Sequence, residues 1–249
     1  MPQHAVIAEN TEAPAPVLVL CDHATNRVPD CVNGGSLDIC ADDMNRHIAF
    51  DIGALGVSRH LANTLNAPLL ATNFSRLVID PNRGEDDPTL LMKLYDGTII
   101  PANRHADDSE KQRRLDAFHR PYHRAIAKRL DDWHTAGVTP AIISIHSFTP
   151  QLRGRALRPW QIGVLWDEDA RMARPLIDQL AANPALCVGD NEPYAGSLRG
   201  DTMYFHATLR GLPHVLVELR NDLIETDAGQ AEWAGVLAPV LSNVLKGLN

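Results

Sequence analysis

Residues 141–150 read AIISIHSFTP. Ile142, Ile143 and Ile145 make a short, β-branched apolar run, and Pro150 closes the turn after it. Such a run predicts a buried strand inside a mostly parallel sheet. Open α/β sheets bind ligands outside the carboxyl ends of their strands, so the pattern hands His146 to a cleft. A lone buried histidine is more often a core residue bonded to a carbonyl. The reading therefore depends on whether other strands end in the same chemistry.

Three others do. Pro16–Cys21 (PVLVLC) predicts a strand that runs into Asp22, His23 and, three residues on, Asn26; alone, this would be a turn with local hydrogen bonds. Pro213–Arg220 (PHVLVELR) predicts a strand whose apolar run breaks at Glu218, a carboxylate that is costly to bury unless paired, with Arg220 and Asp222 at hand. Arg76–Asp80, within SRLVIDPNR, predicts another strand and brings Arg76, Asp80, Asn82 and Arg83 together. An arginine fork can grip a carboxylate bidentately, although two neighbouring arginines also suit surface ion pairs.

The remaining chain alternates strands with helices. Asn45–Leu65 carries Ile48, Ile52, Leu55, Leu61 and Leu65 at helical spacing, with Asp51 inside it, on the wet face or turned toward a site. Pro68–Thr72 is a strand, and Gly84–Ala106 an irregular loop, lid-like in length, with a short hairpin at DGTIIPAN. Ser109–Ala136 is a long helix that Pro121 should kink. His119 and His123 lie four apart on it, a spacing that can ligate a metal but more often marks ordinary histidines; His123 could reach the site. Ile162–Trp166 and Leu186–Val188 are strands, Asp169–Ala182 and Ala228–Leu245 helices. The fold expected is α/β, one domain over 1–249, with 1–15 as a flexible lead-in.

Composition narrows the partners. The 249 residues are 45% hydrophobic with a formal net charge of −8, enough for one sizeable core. No Lys/Arg tract points to nucleic acid, and no apolar run is long enough for a membrane. Cys21, Cys31, Cys40 and Cys187 show no CxxC spacing and read as free thiols in a cytoplasmic protein without a secretory signal. A small anionic substrate, such as one bearing a carboxylate, stays open, because it needs one local arginine cluster and not a basic protein.

Together the strand ends offer His23, Asn82 with Arg83, His146 and Glu218. Two histidines with a carboxylate or water make a catalytic zinc site with an open position. A further glutamate can act as general base, and an Asn–Arg pair can fix a substrate carboxylate nearby. A thiol or hydroxyl amidase built on Cys21 or Ser147 is a weaker option, because Ser147 and His146 point to opposite faces of a strand.

The stretches CDHATNRVP, HIAFDIGALG, SRLVIDPNR, DGTIIPAN, HRPYH, SIHSFTP with the following RPW, GDNEPYAG and VELRNDLI, in this order, resemble the N-formylglutamate amidohydrolase family over nearly the whole chain. That family is similar in fold to zinc carboxypeptidases and aspartoacylases. The resemblance implies a three-layer α/β/α fold with a mixed, mostly parallel central sheet. It implies hydrolysis of the amide of an N-acylated acidic amino acid, releasing formate and glutamate from N-formylglutamate, and a place in histidine degradation. It assigns His23 and His146 to a metal, Zn²⁺ or another divalent ion, Glu218 to the general base, and Asn82 and Arg83 to the substrate carboxylate. Arg76 and Arg220, close to these residues in the chain, are further candidates to bind the substrate. The wider zinc-hydrolase pattern has Glu three residues after the first histidine, where this chain has Asn26. Asp51 is the replacement expected, with His47 and Asp22 as rivals. A relative that binds such a derivative without hydrolysing it is the alternative.

Overall fold

Every residue of Ala141–Phe148 is buried, and the sheet extends outward from this strand. The computed structural model describes residues 5–248. Its strands are β1 (Val6–Glu9), β2 (Val17–Cys21), β3 (Leu69–Thr72), β4 (Leu94–Tyr95), β5 (Thr98–Ile99), β6 (Ala141–Phe148), β7 (Ile162–Leu165), β8 (Val188–Asp190) and β9 (His214–Arg220). Its helices are α1 (Ala41–Met44), α2 (Ala54–Leu65), α3 (Pro101–Arg104), α4 (Asp108–Arg114), α5 (Arg120–Thr135), α6 (Ala173–Ala181), α7 (Thr202–His206) and α8 (Asp227–Lys246).

Seven strands form one sheet in the order β1-β3-β2-β6-β9-β7-β8. The pairs β2–β3, β2–β6, β6–β9 and β7–β8 are parallel, while β1–β3 and β7–β9 are antiparallel. The sheet is thus mixed and mostly parallel, as expected. β4 and β5 form a separate hairpin at the anticipated place.

The period of two along the central strands divides the core. Val19, Ile143, Ile145 and Val217 pack with Val57 and Leu61 of α2, Leu176 of α6 and Leu237 and Leu241 of α8. Leu18, Leu20, Ile142 and Leu216 face Tyr122, Ile126, Leu130 and Trp133 of α5. Helices therefore cover both faces, giving three layers. Asp22, Ser144, His146 and Glu218 continue the second series, so they point toward the α5 side. Because β2, β6 and β9 run parallel, their carboxyl ends share one edge, and His146 lies in register with Glu218.

Several expectations need correction. Val6–Glu9, inside the supposed lead-in, is an edge strand paired with β3; residues 1–4 lie outside the described residues. The helix expected from Asn45 starts only at Ala54. Its N-cap Gly53 has φ 78°, and a Cβ there would stand 2.0 Å from Ile224 O. Asp51 consequently sits in a turn before α2, with its N–H donating to His23 O. Arg76–Asp80 is no strand. Its backbone ties loops together, with Arg76 N–H donating to Ala49 O and Asp80 N–H to Leu90 O. Its apolar residues Leu77, Val78 and Ile79 fill a satellite core with Ile48, Phe74 and Phe118. The last short strand falls at 188–190 rather than 186–188, and α6 starts at Ala173. Pro121 is accommodated by a π turn over Leu115–His119, which separates α4 from α5. Proline lacks the helical N–H and crowds the carbonyl four residues back, so a widened turn there relieves both. No helix among the described residues is long and apolar enough to cross a membrane.

Candidate metal and catalytic centre

His23 follows β2, His146 is on β6, and Asp51 reaches both from the turn before α2. His23 Nδ1 lies 3.2 Å and His146 Nδ1 2.7 Å from the same oxygen, Asp51 Oδ2. All three residues are buried, and their ligand atoms lie within 4.8 Å of one another. The other nitrogen of each ring meets a second carboxylate. His23 Nε2 is 2.7 Å from Asp80 Oδ1, and His146 Nε2 is 2.9 Å from Asp22 Oδ2.

This arrangement has a chemical consequence. A neutral imidazole carries one N–H. With both Nε2–H groups donating outward to Asp80 and Asp22, both Nδ1 lone pairs face the lone pairs of Asp51 Oδ2. Two protons or one cation must fill that point. The charges agree: Asp22, Asp51 and Asp80 are buried carboxylates, and the Arg76 guanidinium pairs with two of them, bonded to Asp80 through Nε and Nη2 and 3.6 Å from Asp51. Burial opposes a charge on His146, yet Asp22 and Asp51 hold its pKa well above the ordinary value. Burial likewise resists ionisation of Asp22, but His146 and Thr202 keep it at about 2. An imidazole backed by a carboxylate is the usual arrangement behind metal-bound histidines, and this donor set can hold a metal ion.

Asp22 is saturated. Its Oδ1 accepts from Tyr122 Oη at 3.0 Å and Thr202 Oγ1 at 2.8 Å, and its Oδ2 accepts from Ser144 Oγ at 3.0 Å besides His146. It therefore orients a histidine instead of serving as the third member of the cluster. Asn26 is turned away, its Nδ2 donating to Met44 O and Asn45 Oδ1. His47 lines the same cavity without joining the cluster, and burial lowers its pKa to about 4.

The cavity measures about 340 Å³ and is lined by His23, Asp51, His146, Glu218, Arg76, Asn82 and Arg83 among others. Glu218 is buried, and its Oε2 has no hydrogen-bond partner among the described residues. Burial pushes its pKa up to about 7, opposed by His146 and aided by Asp51. Asn82 lines the cavity and accepts Thr202 N–H on Oδ1 at 2.9 Å, so Nδ2 is the part of its amide that can donate to a bound molecule. Arg220 does not line the cavity. The last residue of β9, it lies past Glu218 and donates to Asp222 Oδ1 at 2.8 Å. His123 also stays outside, bonded to Pro81 O and His206. The nucleophile option finds no geometry: Cys21 is in the opposite core, where burial raises its thiol, and Ser147 Oγ donates to Ile52 O.

Asp80, Ser144, Tyr122 and Thr202 complete the centre without having been assigned a role in it from sequence. Two of them had a signal: Asp80 stands among the polar residues of SRLVIDPNR, and Ser144 shares a strand face with His146 at a spacing of two. Tyr122 and Thr202 come from a helix stripe and a short helix with no local mark of their purpose.

Fold and site together define an α/β protein with a carboxylate-backed His–Asp–His cluster and an unpaired buried glutamate in one cavity. Residues 15–225 match the N-formylglutamate amidohydrolase family, and the chain belongs to it. It is similar in structure to the gene product Atu2144 from Agrobacterium tumefaciens, with TM-score 0.93 and 35% identity, covering 99% of this chain and 97% of that one. An N-formylglutamate amidohydrolase from Ralstonia eutropha JMP134 shares the fold, with TM-score 0.62 and 18% identity over 98% and 100% of the two chains. The N-formylglutamate deformylase of Pseudomonas putida is 29% identical over 130 residues, 47% of this chain. That match spans 45% of the relative's own length.

Proposed function

We propose that this protein hydrolyses the amide of an N-acylated acidic amino acid, N-formyl-L-glutamate being the first substrate to test. One observation carries the reading: two carboxylate-backed imidazoles converge with Asp51 on one point, beside a buried glutamate that has a free oxygen. Family membership and the deformylase of Pseudomonas putida support the choice of substrate.

His23, Asp51 and His146 would hold a divalent cation, zinc in this proposal, since imidazole with carboxylate suits it. When bound, zinc supplies Lewis acidity, which polarises a carbonyl and makes water acidic near neutral pH. Arg83 and the Nδ2 of Asn82 take the substrate carboxylate and set the formyl group against the cluster. Arg76, with Nε and Nη2 on Asp80 and Nη1 3.6 Å from Asp51 Oδ1, lines the same cavity and adds its positive charge beside that contact. Glu218 accepts a proton from the attacking water as its oxygen bonds to the formyl carbon. The same carboxyl then gives the proton to the nitrogen as the C–N bond breaks, yielding formate and the amino acid. Glu218, buried beside the cluster with one carboxylate oxygen unpaired among the described residues, is placed to take the proton and return it.

The test is formate release from N-formyl-L-glutamate before and after chelation, with zinc added back. Activity undiminished in a demonstrably metal-free sample would remove the mechanism. Acetyl and succinyl derivatives of Glu, Asp and Gln in the same assay define the acyl group and the amino acid.

A further inference from the structure

α7 spans only Thr202–His206, yet its start bonds directly to the loop that carries Asn82 and Arg83 and its end reaches that loop through His123. At its start, Thr202 N–H donates to Asn82 Oδ1, and Thr202 Oγ1 donates to Asp22 Oδ1. At its end, His206 Nε2 lies 2.8 Å from His123 Nδ1 on α5, and His123 Nε2 lies 2.9 Å from Pro81 O. His119, one turn earlier, places Nε2 2.9 Å from Arg83 O. Two of the three carbonyls in 81–83 are therefore held by imidazoles, while the Asn82 amide is held by a backbone N–H.

The acceptors fix the tautomers. A carbonyl only accepts, so His123 donates from Nε2 to Pro81 O. In a neutral ring its Nδ1 is then a lone pair, which accepts His206 Nε2–H. His206 Nδ1 is left unprotonated and buried, with no hydrogen-bond partner among the described residues. Burial keeps both rings neutral, with His123 at about 4 and His206 at about 3. The relay runs one way, from His206 through His123 to Pro81. A buried orphan acceptor is costly, and its presence suggests that the ring is retained for what its other nitrogen does.

We propose that His206 and His123 are positioning residues for the substrate carboxylate: their hydrogen-bonded pair locks the Pro81–Arg83 loop to α7, so that Asn82 Nδ2 and the Arg83 guanidinium face the cavity. The inference rests on the proposed role of Asn82 and Arg83. It predicts a fault in binding rather than in chemistry, because neither histidine lines the cavity that holds Glu218 and the His–Asp–His cluster.

The experiment compares His206→Leu, His206→Gln and His206→Asn, each alone and combined with Arg83→Ala, in steady-state deformylation with metal content checked. Gln can present an amide N–H where Nε2 stood, and Asn is too short to do so. The expected result is a KM raised about tenfold in Leu and Asn with kcat changed less than about twofold, near-normal KM in Gln, and a clearly smaller rise in the Arg83→Ala background, where only Asn82 remains to be positioned. Gln and Asn retain the comparison if Leu does not fold. Equal KM in Gln and Asn, or a penalty that persists unchanged without Arg83, would overturn the positioning role. An Arg83→Ala variant with normal KM would sink the carboxylate-binding assignment itself, which is a separate failure.

Discussion

His23 and His146 have carboxylates on both ring nitrogens; His119 and His123 have a backbone carbonyl on one. The first pair lies 123 residues apart in the chain, and the second has the i, i+4 spacing that looks like a metal motif. A carbonyl partner uses up an N–H and leaves a neutral ring that acts as a strut. A carboxylate behind the ring makes it a stronger ligand and fixes which nitrogen faces inward. What decides between strut and ligand is the charge of the partner, which spacing does not reveal.

That contrast breaks most sharply in a metal count. His146→Ala should lose both the bound cation and activity, the latter by about 10³-fold or more. His123→Leu should keep stoichiometric metal by elemental analysis. The opposite outcome would move the cation to the α5 histidines. Glu218→Gln comes next. Its kcat should fall by about 10²–10⁴-fold with metal content unchanged, as expected for a lost general base. Turnover close to normal would mean that another group takes the proton.

A smaller effect sharpens the role of the outer carboxylates. Asp22→Asn and Asp80→Asn keep shape while removing the charge behind each ring, and metal affinity should drop by about 10–100-fold, measured by competition with a chromophoric chelator. An unchanged affinity would make both aspartates mere packing partners.

The sequence was legible where period two and strand ends did the work. His23, His146 and Glu218 stand at the parallel ends of β2, β6 and β9, and the buried runs before them announced it. Asp51 was selected for a place on a helix, but Gly53 stops α2 short and a turn carries the carboxylate instead. Arg76–Asp80 has the composition of a strand. Its Arg76–Asp80 ion pair and its loop-to-loop backbone bonds hold it outside the sheet, in a core that belongs to the long loops. Arg220 read as a site residue by its nearness to Glu218, though two residues of strand carry it past the cavity. α7 left no trace, because five residues are too few to show a helical period; its one signal is Asp201, which caps it by accepting Tyr204 N–H.

The smallest expected effect concerns stability and follows from Glu218 alone. Its folded pKa of about 7 lies above the ordinary value of 4.5 because burial disfavours the ionised form. Below pH 4.5 the folded and unfolded states both hold the proton, and the site costs nothing. Between there and about pH 7 the unfolded chain ionises while the folded one resists, so stability declines as pH rises. Above that the penalty is constant, on the order of 3 kcal/mol. In metal-free protein Glu218→Gln should abolish this loss. The variant should melt within a degree or so of wild type at pH 4.5 and several degrees above it at pH 8, about 2–4 °C per kcal/mol for a chain of this size. A cation in the cluster would narrow the gap by lowering the Glu218 pKa, so repeating the melts with zinc reads the coupling between base and metal site. Equal offsets at both pH values would show that Glu218 is not held above its ordinary pKa, and that its unpaired oxygen reaches water more freely than the cavity walls imply.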